Sequence, residues 1–390
     1  MNSDRSQKSI AILGTRGIPA AHGGFERLAE ELAIYLAKRD WDVTVYCQIG
    51  GRGEIKEDIW NGVHRVIISM ANTGPVGTIL FDWCSILHAV RSKPSRLLTL
   101  GYNTAVLGLL PYLMRIPNFI NMDGLEWKRP KWNCVQRAWL WLNERAAIFL
   151  GDHLIADHPE IERRLLRWAA QSRITMIPYG AWRNGAQNMH CLSQYGVAPH
   201  KFSAVIARPE PENSLLEIVR AFSRRKRGTK LLVLGRFDLA TNAYHRSVVN
   251  CASDEVIFPG AIYDSALVRG IRAECLLYIH GHQVGGTNPS LVESLGVGAA
   301  VLAHDNLFNR WVAGEGASYF GSEDELASRL DDLLDDTNEL ARMRATSLKR
   351  FQERFRWERV LAEYESLLLP LDISSGKKEC SEPSDAFSAV

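Results

Sequence analysis

The stretch HGHQVGGTNPSLVESLGVG, residues 280–298, joins a glycine-bearing loop to the start of a helix. It follows a short apolar run, Cys275 to Ile279, that predicts a strand. Asn288 is a favoured N-cap and Pro289 suits the first helical position, so a helix is predicted to begin here. Its free N–H groups and positive dipole end would lie at the end of a strand, where they favour a phosphate or diphosphate. The same residues also fit an ordinary strand-to-helix connection whose glycines only make a turn.

The first half of the chain shows the same order of elements. Ser9 to Leu13 is an apolar run typical of a parallel strand, and Arg27 to Arg39 has helical periodicity. The loop between them, GTRGIPAAHGGFE at 14–26, lacks the GxGxxG spacing of dinucleotide-binding proteins, which disfavours an NAD-dependent oxidoreductase. Further strands are predicted at residues 43–47, 63–69, 97–100, 118–122, 153–156 and 174–177.

The stretch from Tyr179 to Pro199 is rich in Gly, Asn and Gln, and we interpret it as a linker. After it, predicted strands and helices alternate a second time. The pattern predicts an α/β fold of two Rossmann-like, doubly wound parallel-sheet domains, residues 1–185 and 200–356. The cleft between two such domains is the default ligand site. Strands are predicted at 201–207, 231–234, 256–258, 275–279 and 299–303, helices at 214–225, 266–273, 323–355 and 357–369, and a disordered tail at 371–390.

Composition excludes several classes of function. The chain has 390 residues with 46 basic and 44 acidic side chains, so no global field favours nucleic acid. Seven scattered cysteines fit a reducing cytosol, and the polar N-terminus is unlike a signal peptide. The apolar stretch 104–120 is interrupted by Pro111, Arg115 and Pro117 and is not expected to span a bilayer. These features predict a cytoplasmic protein with at most peripheral membrane contact.

Four motifs together resemble those of the bacterial rhamnosyltransferases of glycosyltransferase family 4, found in exopolysaccharide, capsule and O-antigen clusters. They are GTRGIPAAHGGFE at 14–26, NMDGLEWKRPKW at 121–132, ARPEPEN at 207–213 and HGHQVGGTNPSLVES at 280–294. The resemblance implies the GT-B fold, in which an N-terminal acceptor domain faces a C-terminal donor domain. It also implies that a last helix, 357–370, packs back on the first domain.

The same resemblance implies a retaining, metal-independent transfer from a nucleotide sugar, with no cofactor. The most specific expectation is that L-rhamnose is moved from dTDP-L-rhamnose to a polyprenyl-diphosphate-linked saccharide in cell-surface polysaccharide biosynthesis. Two alternatives stay open. The donor could be UDP-glucose, GDP-mannose or GDP-fucose, or the chain could be a non-catalytic nucleotide-sugar-binding partner of a polysaccharide assembly complex.

The resemblance assigns donor-binding roles residue by residue. Gly23 and Gly24 would approach the diphosphate, Arg208 would clamp it, and Glu293 would bind the ribose. The alternatives are turn glycines, a surface arginine and a helix-terminal charge. The predicted donor-binding residues are Gly23, Gly24, Arg208, His280, Gly286, Thr287, Asn288, Ser290 and Glu293.

Two positions depart from the family pattern. Gly285 stands where relatives carry the first of two paired glutamates, and the usual lysine is missing near Glu212 and Asn213. Thr287, Asn288 or a backbone amide could replace the lost carboxylate. The two histidines that border the loop are not a metal pair, because no third ligand lies at a recognisable spacing. His280 could reach the sugar, whereas His282 fits a structural role better.

Arg208 and Asp123 are the predicted catalytic residues. Retaining transfer on this fold is pictured as front-face attack, which needs positive potential at the leaving diphosphate more than a strong base. Asp123 follows the run that ends at Met122 and could position the acceptor hydroxyl, or it could cap the next turn. A tryptophan- and cation-rich segment nearby fits a face that meets the lipid headgroups of the acceptor, or domain core beside a solvated helix. Its residues are Trp127, Lys128, Arg129, Lys131 and Trp132.

Overall fold

Two β-sheets form the frame of the chain in the computed structural model, which describes residues 8–20, 23–72, 74–129, 132–183 and 192–369. Strands and helices alternate along both halves, and the neighbouring strands are parallel except for one pair at the edge of the first sheet. Parallel strands need helices on both faces, which explains their nearly continuous apolar runs. The predicted α/β fold with two doubly wound parallel sheets is confirmed.

The first sheet has the strand order β3-β4-β2-β1-β5-β6-β7-β8. Its strands are β1 (Ser9–Leu13), β2 (Asp42–Gly50), β3 (Lys56–Trp60), β4 (Val63–Met70), β5 (Arg96–Leu100), β6 (Asn118–Met122), β7 (His153–Ala156) and β8 (Ile174–Met176). The helices of this half are α1 (Gly24–Ala37), α2 (Pro75–Ser92), α3 (Leu109–Leu113), α4 (Cys134–Leu150) and α5 (Pro159–Leu165).

The second sheet has the order β11-β10-β9-β12-β13-β14. Its strands are β9 (Phe202–Ile206), β10 (Lys230–Leu234), β11 (Val256–Gly260), β12 (Leu277–His280), β13 (Val301–His304) and β14 (Ser318–Phe320). The helices are α6 (Leu215–Ser223), α7 (Ala243–Asn250), α8 (Ser265–Glu274), α9 (Pro289–Gly296), α10 (Leu307–Ala313), α11 (Glu323–Leu333), α12 (Thr337–Arg354) and α13 (Trp357–Leu368).

The order of the strands reverses direction at one point in each sheet. In the first sheet β1 lies between β2 and β5, and in the second β9 lies between β10 and β12. Ligands of open α/β sheets bind outside the carboxyl ends of the strands at such reversal points. The loops that leave β1, β9 and β12 carry the three glycine- or arginine-bearing motifs of the sequence.

Two strands and one helix break were missed by the sequence patterns. β3 is an antiparallel edge strand with the charged sequence KEDIW and no apolar run, and β14 has only three residues. The predicted helix 323–355 is two helices, because Asp336 caps the second by accepting a hydrogen bond from the Glu339 N–H, at 2.9 Å. The predicted tail, 371–390, lies outside the described residues.

The last helix, α13, packs against α1 of the first domain. The Tyr35 hydroxyl donates a hydrogen bond to Glu365, with an O···O distance of 3.0 Å. Behind it, the Asn121 amide donates to the buried Tyr364 hydroxyl at 2.6 Å. A Cβ on Gly180 would lie 2.6 Å from the Trp357 ring, so the chain that leaves the first domain presses directly on the start of α13. The C-terminal end of the chain therefore ties the two domains together.

No helix in the described ranges is long and apolar enough to cross a bilayer.

Candidate functional site

Two helix N-termini face each other across the gap between the domains. Asn288 caps α9, since its side-chain oxygen accepts a hydrogen bond from the Ser290 N–H at 3.0 Å. The opposing end is that of α1, where a Cβ on Gly24 would lie 3.0 Å from Cγ of Pro289. Within α9 the N–H groups of Leu291 and Val292 are bonded to the Asn288 carbonyl, so this helix contributes its dipole, and the positive dipole ends of both helices point into one space.

That space is a cleft of about 210 Å³ lined by residues from both domains. Seven of the predicted site residues line it: Gly24, Asp123, Arg129, Arg208, Gly286, Thr287 and Asn288. Residues that the sequence patterns did not single out also line it, among them Asn121, Asp157, Tyr179 and Tyr364. Gly23 caps α1 just outside the cleft.

Arg208 lines the cleft with an exposed guanidinium. No side-chain hydrogen bond or ion pair ties it to any other described residue, and only its backbone oxygen is held, by the Asn213 amide at 2.8 Å. The pKa of His282 is lowered to about 3, mainly by burial and further by the positive charges of Arg208 and Arg129. This imidazole is therefore neutral, and two guanidinium groups lie close to it. The cleft thus carries positive charge that is available to an anion.

The structure does not bring His280 to the cleft. It is the last residue of β12 and is only 1% exposed, with its ring stacked on that of His282 at 4.3 Å between centroids. Burial lowers its pKa far below the ordinary value, and neither ring nitrogen has a hydrogen-bond partner among the described residues. His282, which the sequence assigned to structure, is the histidine that lines the cleft. The described residues contain no group of three or more His, Cys, Asp or Glu that could hold a metal ion.

Glu293 and Ser290 lie in the first turns of α9, beside the cleft lining rather than in it. The Glu293 carboxylate is ion-paired with buried Arg272, with an O···N distance of 2.9 Å. Arg272 also donates a hydrogen bond to the Ser290 hydroxyl at 3.0 Å. The Tyr278 hydroxyl lies 2.7 Å from the same Ser290 oxygen. This network fixes the orientation of Glu293, whose role toward a ribose stays a prediction.

Two aspartates directly follow neighbouring strands of the first sheet, at the carboxyl ends of those strands. Met122 of β6 pairs in register with Ala156 of β7, so Asp123 and Asp157 stand side by side at the carboxyl ends. Asp123 accepts a hydrogen bond from the Gly124 N–H at 2.7 Å, as the turn-capping alternative predicted, and it still lines the cleft. The sequence patterns missed Asp157, although its position directly after a strand adjacent to that of Asp123 could have identified it.

Asp157 contacts the loop of the second domain that leads into α9, at Thr287. Its Oδ2 accepts a hydrogen bond from the Thr287 N–H at 2.9 Å, and its backbone oxygen accepts from the Thr287 hydroxyl. Its Oδ1 is sealed from solvent without a partner among the described residues. The pKa of Asp157 is raised to about 7, mainly by burial and further by the negative charge of Asp123.

Gly286 is required by this contact. A Cβ at that position would lie 2.2 Å from Oδ1 of Asp157, well inside van der Waals distance. The sequence predicted Gly286 only as one of the donor-binding residues. The structure shows that the backbone of this loop approaches a carboxyl group of the other domain.

The predicted acceptor or membrane face is only partly exposed. Arg129 is paired with Glu126 at 2.7 Å and with Glu212 of the second domain at 3.2 Å, so its charge bridges the domains instead of facing a membrane. The Trp127 indole donates to buried Glu144 at 3.1 Å. Lys128 is exposed and lies over the Trp127 ring, Trp132 lines a separate cavity, and Lys131 lies outside the described residues.

Comparisons with known proteins support the architecture. A family model described as a domain of unknown function, DUF1972, matches residues 7–101 and 112–182, within the first domain. A search of the curated proteins found no match.

Solved structures match over nearly the whole chain. Sucrose-phosphate synthase from Thermosynechococcus elongatus has a TM-score of 0.73 at 16% identity, with 92% of this chain and 98% of that chain covered. HepE of Anabaena, in complex with UDP and glucose, has a TM-score of 0.74 at 14% identity, covering 94% and 100%. A UDP-forming trehalose-phosphate synthase from Burkholderia xenovorans has a TM-score of 0.72 at 11% identity, covering 92% and 99%. These likenesses confirm the predicted GT-B fold.

Proposed function

We propose that this chain is a retaining glycosyltransferase that moves a sugar from a nucleoside diphosphate to a lipid-linked saccharide. The favoured donor is dTDP-L-rhamnose, and the favoured setting is cell-surface polysaccharide assembly at the inner face of the cytoplasmic membrane. The rhamnose, the lipid-linked acceptor and the membrane contact come from the four-motif resemblance. The expectation that transfer needs no metal ion or cofactor also rests on that resemblance.

One observation carries the proposal: the exposed guanidinium of Arg208 shares a cleft with the N-termini of α1 and α9. A guanidinium offers two parallel N–H donors to phosphate oxygens and stays charged at every physiological pH. The N-termini of α1 and α9 add the positive ends of their helix dipoles. The natural occupant of such a site is a compact dianion, such as the diphosphate of a nucleotide sugar.

The solved structures support the same class of ligand. Anabaena HepE has been crystallised with UDP, with UDP and glucose, and with UDP-glucose. The trehalose-phosphate synthase is described as UDP-forming. Because these proteins have the fold of this chain but little of its sequence, they favour a nucleotide sugar in general and leave the choice of base and sugar to experiment.

This cleft suits a reaction in which negative charge develops on a departing diphosphate. The acceptor oxygen forms a bond to the anomeric carbon as the bond from that carbon to the diphosphate oxygen breaks, and the acceptor proton passes to the departing diphosphate. Arg208 and the two helix ends stabilise the negative charge that develops there. Asp123, which lines the same cleft, is the proposed residue that orients the acceptor hydroxyl.

The missing family lysine has a candidate replacement. Arg129 comes from the first domain, lines the cleft and, with Arg208, helps lower the pKa of His282. Its two carboxylate partners fix its position at the domain boundary. We infer that Arg129 is the second guanidinium near the diphosphate, with part of its charge offset by Glu126 and Glu212.

A panel of nucleotides tests the donor. Thermal shifts with dTDP, UDP and GDP identify the base, and transfer of radiolabelled sugar to a polyprenyl-diphosphate-linked saccharide, with EDTA present, tests the reaction. A shift with dTDP and transfer of rhamnose are expected. If a nucleotide binds and Arg208→Ala abolishes that binding, yet polymer is made normally in cells with the variant, the non-catalytic partner becomes the better description. Absence of a shift with all three nucleotides overturns the proposal.

A further inference from the structure

A second cavity, of about 800 Å³ and open to solvent, lies in the first domain beside the cleft. Its walls come from the ends of β1 and β5 and from α1, α2 and α4. Apolar side chains dominate the lining, including Phe81, Ile86, Leu97, Leu100, Trp139 and Leu140. The volume lies in the range of roughly 300–1,000 Å³ typical of ligand pockets.

A cavity of this size with mostly apolar walls is unusual on a folded domain, because apolar side chains are normally covered by other parts of the protein. The surrounding core is otherwise well buried, with Phe81 at 2% and Leu97 at 0% exposure. The cavity is therefore better explained as a binding site than as a packing fault.

The helices that wall the cavity also expose apolar side chains to solvent. On α2, Val76, Leu80 and Trp83 are exposed at spacings of four and three residues, so they share one face. On α4, Val135 and Trp139 are exposed and also line the cavity. Between these helices lies α3, with three further exposed apolar side chains: Leu109, Tyr112 and Leu113. An apolar surface of this extent on a protein marks a contact with a membrane or another protein.

The inner end of the cavity reaches the catalytic cleft. Gly24 and Phe25 line both spaces. Arg16, on the loop that leads to Gly24, also lines the cavity, and its exposed side chain has no partner among the described residues. A cation beside the cleft suits the phosphate group that joins a lipid to a saccharide, although Glu26 lines the same end.

We propose that this cavity binds the hydrocarbon chain of the lipid-linked acceptor, taken from the membrane through the mouth between α2 and α4. The chain lies against the apolar walls, and the phosphate end emerges near Arg16 and Gly24, beside the donor. This inference rests on the proposed function, because a lipid-linked acceptor is its substrate class. It adds the site that holds the apolar part of that acceptor.

Three polar side chains that line the cavity are buried: Thr15, Asp82 and Asn118. The Thr104 hydroxyl donates a hydrogen bond to Asp82, at 2.7 Å, and burial raises the pKa of Asp82 to about 6. A carboxyl group with a pKa of about 6 is still largely ionised at pH 7, so Asp82 and its Thr104 partner form a polar spot within walls that are otherwise mostly apolar.

Binding of farnesyl phosphate, compared with methyl phosphate as the same headgroup without the chain, tests the site in the full-length protein by calorimetry. The variant is Thr78→Trp, which fills the cavity from α2, and the matched control is Arg91→Trp, an exposed position of the same helix outside the cavity lining and the apolar surface. The wild type and Arg91→Trp are expected to bind farnesyl phosphate at least tenfold more tightly than methyl phosphate. Thr78→Trp is expected to lose that preference.

The nucleotide that stabilises the wild type serves as an internal reference. Retained nucleotide binding shows that Thr78→Trp is folded, and if it is not, Val135→Glu at the solvent-exposed mouth takes its place. Equal binding of the two phosphates by the wild type, or an unchanged preference in the folded cavity variants, overturns the inference even when nucleotide binding and sugar transfer are intact. Failure of nucleotide binding in the wild type instead overturns the proposed function.

Discussion

The carboxyl group of Asp157, in the first domain, accepts a hydrogen bond from the backbone N–H of Thr287, in the second, at 2.9 Å. The two residues are 130 positions apart in the chain. Their contact joins the edge of the first sheet to the loop that precedes α9. The position of that loop, and with it the N-terminus of α9, therefore depends on domain closure.

Replacement of Arg208 by alanine is expected to weaken nucleoside diphosphate binding roughly 10- to 100-fold, because hydrogen bonds to charged groups contribute about 1.5–3 kcal/mol. The melting temperature of the free protein should hardly change, since the guanidinium has no partner among the described residues. Calorimetry measures the affinity. Arg329→Ala, an exposed arginine on α11, is the control and should bind as the wild type does. Equal affinities of the two variants would remove Arg208 from the site.

Asp157 is expected to make stability depend on pH. Its pKa is about 7 in the folded chain against an ordinary 3.8, so between these values the folded chain holds a proton that the unfolded chain has released. The stability contributed by this group is fully present below about pH 4 and is lost as the pH rises through about 7.

The Asp157→Asn variant cannot titrate at this position and should show a smaller loss of unfolding free energy between pH 5 and pH 8. Urea denaturation at the two pH values measures that loss. Asp82, with a pKa raised to about 6, acts in the same direction, so Asp82→Asn and the double variant are compared with it. Identical pH dependence of the wild type and Asp157→Asn would contradict the assignment.

The ion pair between Arg129 and Glu212 is expected to couple the domains. The two side chains are only 15% and 10% exposed, so solvent screens their attraction weakly. A double-mutant cycle with Arg129→Met and Glu212→Gln should give a coupling energy on the order of 1–3 kcal/mol. The exposed pair Arg342–Glu339 on α12 is the control, with about 0.5 kcal/mol or less. Additive effects at the first pair would show that it does not hold the domains together.

Charges placed on the apolar face of α2 are expected to reduce membrane binding. Leu80→Glu with Trp83→Glu removes two large exposed apolar side chains, each of which contributes about 1.5–3 kcal/mol when fully buried. Flotation with phosphatidylcholine–phosphatidylglycerol vesicles should show at least about a tenfold loss of bound protein. Leu239→Glu, at an equally exposed leucine of the second domain, should leave binding unchanged. Wild-type protein that stays unbound would refute membrane docking by this face.

The sequence identified the elements that build the cleft. The strands at 9–13, 118–122 and 153–156 have the predicted bounds, and Asn288 caps a helix that begins at Pro289. These features are local: an apolar run, a helical period and a capping side chain act within a few residues of each other. The motif resemblance extended them to the GT-B fold, and the structure confirms that architecture.

The sequence by itself therefore determined the alternation of strands and helices, the glycine loops and the capped start of α9. Only the tertiary structure decided which side chains meet in the cleft. It placed Asp157 against Thr287, buried His280 behind His282, and turned Arg129 toward Glu212. It also left an apolar cavity between α2 and α4. The physical reason is that contacts between distant residues follow from how sheets and helices pack, and no short-range pattern in the chain encodes that packing.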